Sequence, residues 1–193
     1  FTEPDRKNHP SFDIVVRRSM LDETRLFLNE LLENDRPVRE IIESDVTFLN
    51  SRLARHYQIP GVGSDTMVRV VLSDPAHQAT VPRGGLLSHG SILKVTANGT
   101  NTSPVLRGVW LAKRVLGVPI PNPPENVPAI EPDIRGATSI REQLELHRNH
   151  AECASCHRYI DPPGFALENF DPTGAWREFY PSNSSKNKIK IDP

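Results

Sequence analysis

The sequence predicts a mostly α fold with little β and long proline-rich loops. Three observations carry this. Several segments repeat apolar residues at intervals of three and four and bring their own caps. One run alone, "MVRVVL", has the β-branched character of a strand. The prolines, 18 in all, bunch in "GVPIPNPPENVPAIEPD", a stretch that must be extended and semi-rigid.

Taken in order, "SMLDETRLFLNELLEN" is expected to be the first helix. Ser19 and Asp22 form a weak capping box, and Leu21, Thr24, Phe27, Leu28, Leu31 and Leu32 make one apolar stripe. Met20 then sits at the start of this helix. "RPVREIIES" follows as a short second helix with Pro37 in its first turn. "DVTFLNSRLARHYQ" reads as a third, with Phe48, Leu49, Leu53, Ala54 and Tyr57 on one side, broken by "IPGVGSD". After the "MVRVVL" strand, "RGGLLSHGSILKVTA" is read as a short helix and "NGTNTS" as a polar loop. "SPVLRGVWLAKRVLG" is well punctuated, with Ser103 as cap, Pro104 in the first turn, Gly117 past the end and Pro119 beyond. Beyond the proline-rich crossing, "SIREQLELHRNH" opens with the capping box Ser139 and Glu142 and carries Ile140, Leu144 and His147 on one face. Two turn signals, "DPPG" and "DPTG", close the pattern around "FALENF".

A length of 193 residues suits one domain, or one and a half. The formal net charge of −1 leaves no electrostatic footprint for nucleic acid. No apolar run approaches the ~18 residues of a membrane span. The chain opens "FTEPDRKNHP" without an initiator Met and stops in "KNKIKIDP", so it reads as a fragment of a longer protein.

Both cysteines lie in "CASCH": Cys153, Cys156 and, directly after, His157. C-x-x-C-H is the attachment signature of c-type haem. Two thiols one helical turn apart can each add to a vinyl group on the porphyrin edge. The adjacent histidine then lies under the iron as its proximal ligand. A zinc clip would need four protein ligands, drawing on His147, His150 or His157, and no second clip of finger spacing exists. A redox disulfide is expected near a βαβ pattern, which is not seen. Haem therefore accounts for the motif best, with the other two chemistries still open. The sixth iron position decides between a closed electron carrier and an open, reactive centre. Met20 is the first candidate to close it, Met67 a weaker one, and core packing is the ordinary use of either. His147 is a candidate for a hydrogen bond to a haem propionate or to backbone. Arg107 is a candidate to neutralise a propionate by its fork of donors, and Arg83 is a similar case. Asp161, Glu168 and Asp171 are read as caps of turns and helix ends. Phe170 and Trp176 suit either haem packing or ordinary core.

The stretch "SIREQLELHRNHAECASCHRYIDPPGFALENFDPTGAWRE" resembles the cytochrome-c-like domain of large secreted planctomycete proteins. "RGGLLSHGSILKVTANGTNTSPVLRG" is similar to the first part of that domain, and "DVTFLNSRLARHYQIPG" to the helical domain that precedes it. Together these run from about Met20 to Glu178. Related sequences carry Met in an "M-x-x-E" setting like that of Met20, and His at the position of His147. The resemblance implies a helical leader over residues 1–63, a cytochrome-c-like haem domain over 64–180, and the start of a further segment over 181–193. It implies an exported protein, periplasmic or at the cell surface, with one covalent haem c and its iron per chain. Electron transfer to a redox partner protein, or to other domains of the parent chain, is the function expected. A haem enzyme of peroxidase or oxygenase type is the alternative, and a zinc-stapled interaction domain the second.

Overall fold

The computed structural model describes residues 3–5, 7–77, 81–121, 151–181 and 189–193, with backbone alone for residues 151–153. The chain forms two compact units. The first comprises Phe1–Thr100 together with Phe170–Trp176, and the second Asn101–Asn169 together with Arg177–Pro193. The expected boundary at residue 63 falls inside the first unit. As the sequence predicts, the described residues are mostly helical, with one two-stranded sheet.

In the first unit, α1 spans Ile14–Glu33. It starts well before Ser19, because Asp13 is the cap: its carboxylate accepts from the Val16 amide at 2.8 Å. Ser19 instead lies inside the helix, donating to the Val15 carbonyl at 2.9 Å. The buried face is Val16, Ser19, Met20, Glu23, Phe27 and Leu31, while Leu21, Leu28 and Leu32 are exposed. The expected stripe is thus rotated. The reason is polar: Ser19 accepts from the Asn50 amide at 2.8 Å, and Glu23 accepts from Thr47 and Tyr57, so both enter the core with their hydrogen bonds made.

Val38–Ile41 is one 3-10 turn after Pro37, where a second α-helix was expected. The expected third helix divides. Its first part is β1 (Val46–Leu49), antiparallel to β2 (Val68–Val71), with Val46 opposite Val71 and Leu49 opposite Val68. Val46, Thr47 and Phe48 favour a pleated surface once a partner strand is supplied from twenty residues on. Asn50 then caps α2 (Ser51–Tyr57), accepting from the Leu53 amide at 2.9 Å. Leu49, Leu53, Ala54, Tyr57, Ile59, Val70 and Leu72 close a core with Phe12, Val16 and Met20. A 3-10 turn at Leu86–Ser88 leads into α3 (Gly90–Val95).

The "DPTG" turn completes this unit from far along the chain. The Asp171 carboxylate accepts from the Thr173 amide at 2.7 Å, its hydroxyl at 2.8 Å and the Ala175 amide at 3.0 Å. Gly174, at φ +76°, has the left-handed backbone the turn needs. His9 lies 3.2 Å from the same carboxylate, His56 bonds the Thr173 carbonyl at 2.9 Å, and Arg83 donates to the Gly174 carbonyl at 2.5 Å.

In the second unit, α4 (Pro104–Arg114) is capped by Ser103, and Gly117 past its end has φ +65°, both as expected. The last helix, α5, runs over Ala151–Phe165 and takes in Pro162 and Pro163. "DPPG" is therefore helix and not a turn. The prolines remove the amides that would serve the carbonyls of Arg158 and Tyr159, and both residues are exposed to water. The two helices meet through glycines: a Cβ on Gly108 would overlap the Ile160 carbonyl, and one on Gly164 the Pro104 carbonyl. Phe165, Tyr180 and Ile191 form the apolar centre, flanked by Val105 and Ile189. The helix expected over residues 139–150, with His147 and His150, lies outside the described residues.

Candidate functional site

The candidate site is on α5, whose unbroken helical backbone carries residues 153, 156 and 157. Positions 153 and 156 are ~4.5 Å apart along the axis, under one turn. Cys156 is half-buried, and the Ser155 hydroxyl donates to its sulfur at 3.8 Å. The His157 ring is 12% exposed, with Nδ1 2.8 Å from Oδ1 of Asp161, which is itself 2% exposed. An ionised carboxylate only accepts. In the neutral ring the proton is therefore on Nδ1, and Nε2 keeps the lone pair an iron ligand needs. Thiol positions just under one turn apart, followed at once by an imidazole held through Nδ1, are the donor set that covalent haem requires. Among the described residues no three His, Cys, Asp or Glu side chains group closely enough to hold a metal ion.

Arg107 is 1% exposed in the second unit. It donates to the Leu167 carbonyl at 2.6 Å and lies 3.7 Å from Glu168. Glu168 is no cap: it is fully buried, bonded by Thr102 and by Arg177 at 3.0 Å. Burial pushes its carboxyl above the ordinary range, against the pull of Arg177 and Arg107.

Met20 is packed in the core of the first unit, its Sδ and Cε filling the space a Cβ on Gly90 would take. Met67 packs against the same core. Arg83 is held internally too, over the Tyr57 ring at 3.6 Å and bonded to the Ser88 carbonyl. Trp176 and Phe170 meet edge to face at 5.2 Å. His56 and His89, which no sequence signal singles out, are both buried in this unit. His89 bonds Thr24 at 3.1 Å, and its Nε2 is 3.9 Å from Glu23.

The PSCyt3 family model, described as a protein of unknown function (DUF1588), matches residues 83–180, just over half of the chain. The chain belongs to the PSCyt3 family. A second model, PSD4, also described as a protein of unknown function (DUF1592), matches residues 1–59. The PSCyt3 match contains the whole of "CASCH" and Asp161. It is joined to a PSD4 stretch, as in a chain built of several family units. No curated protein and no solved structure matches. Among the described residues no helix is long and apolar enough to cross a membrane.

Proposed function

We propose that this PSCyt3 chain carries one haem c, bonded through Cys153 and Cys156 with His157 as the axial iron ligand, and that it transfers electrons. The observation that carries the reading is the placement of "CASCH" on a continuous helix, with Nε2 of His157 as the lone-pair nitrogen. The family designation PSCyt3, with its cytochrome abbreviation, accords with it. When bound, the haem supplies one-electron chemistry. The chain's own contribution is to anchor, orient and tune. Arg107 is engaged by Glu168 and Leu167, and Met20 by the first unit's core, so the reading rests on neither. Thioether attachment places the protein in the periplasm or at the cell surface, with a redox protein or another domain of its parent chain as partner.

The test is the mass of the denatured chain from a host with haem-c maturation. The expected result is an increase of one haem, lost when Cys153 and Cys156 are both changed to Ala. An unmodified mass, or a colourless protein that holds zinc, overturns the reading.

A further inference from the structure

Asp161 is a buried carboxylate in an awkward place. It precedes Pro162, and a residue before proline is disfavoured in the helical region. Even so, α5 holds it helical through Phe165. The result is that Asp161 falls four residues after His157, on the same helix face, with Oδ1 2.8 Å from Nδ1. Burying an acidic group costs free energy unless a good donor meets it. Here an N–H of the expected iron ligand is such a donor.

We propose that Asp161 is the positioning residue of His157. This rests on the haem reading above. By accepting the Nδ1 proton, Asp161 fixes the tautomer and the rotation of the ring, so that Nε2 is the nitrogen presented to iron. A carboxylate is a stronger acceptor than the amide or carbonyl that could replace it. It pushes electron density onto the ring, makes the imidazole a better donor and favours ferric over ferrous iron. The wild-type potential is therefore lower than it would be without this carboxylate.

The experiment measures the haem potential of the mature holoprotein for wild type, Asp161→Asn and Asp161→Glu. Asp161→Asn keeps the shape and a weak acceptor but removes the charge. It is expected to favour ferrous iron about tenfold or more, ~59 mV upward for one electron, with an unchanged absorption spectrum. Asp161→Glu restores a carboxylate and is expected to return the potential toward wild type. An Asp161→Asn potential equal to wild type overturns the proposal, as does an Asp161→Glu value no closer to wild type than Asp161→Asn. Ring nitrogen NMR of His157 in the full chain made without haem separates this from the reading it rests on. An Nδ1–H tautomer that is lost in Asp161→Ala supports the pair whether or not haem is ever attached, and an Nε2–H tautomer in wild type overturns it.

Discussion

Burial holds two histidines of the first unit neutral. Desolvation lowers His89, against the attraction of Glu23, and lowers His56, against its bond to the Thr173 carbonyl. The unfolded chain takes up these protons near pH 6.5 and the folded chain only below that. Stability is then complete above pH 6.5 and is lost as pH falls through that value toward the depressed folded ones. Asp171 acts in the same direction at lower pH. Its bonds from His9 and Thr173 outweigh burial and hold it below the ordinary range, so its contribution fades below about pH 4. Melting temperature is expected to drop between pH 7.5 and 5.5 for wild type and to drop less for His89→Gln. Parallel curves would show that His89 is charged in the fold. At this scale the sequence is uneven. "CASCH" is legible as a motif because three residues, two Cys and a His, stand at a fixed spacing within one helix. The Asp161–His157 pair is also local, four residues apart, yet "DPPG" reads as a turn and hides it. Glu23 and Glu168 are invisible as core residues, since only a folded chain shows the donors that satisfy them.

Among the elements, those with complete punctuation were legible. Ser103, Pro104 and Gly117 bound α4 as written. β1 was not legible, because a strand's stability lies in its partner, and the pairing of Val46 with Val71 spans the whole of α2. The face of α1 is illegible for a related reason: apolar periodicity ranks Leu21 and Leu28 above Ser19 and Glu23, while hydrogen bonding reverses the order. The packing of α4 on α5 gives a further expectation. Gly108 has no room for a Cβ against the Ile160 carbonyl. Gly108→Ala would normally strengthen a helix by about 1 kcal/mol. Here overpacking, at about 1–3 kcal/mol, is expected to win and lower the melting temperature. A stabilised Gly108→Ala would mean that the helices yield freely.

For the whole molecule, the family matches and the compact units do not share boundaries. The first unit takes residues 1–59 from the PSD4 match, and residues 83–100 and 170–176 from the PSCyt3 match. Its core joins them: Met20 and Tyr57 meet Gly90, and His56 meets Thr173. Asp171→Ala removes three accepted hydrogen bonds and the His9 pairing at once. It is expected to cost about 2 kcal/mol or more, read by denaturant melting, although it lies seventy residues beyond the rest of the unit. A loss within a few tenths of a kcal/mol would show that the turn is only resting there.

That turn also sets a timetable for synthesis. A ribosome makes residues 1–100 first, but the last strip of their wall, Phe170–Trp176, emerges after "CASCH" has been made. Both cysteines are therefore already in the chain before the residues that close its leading part exist.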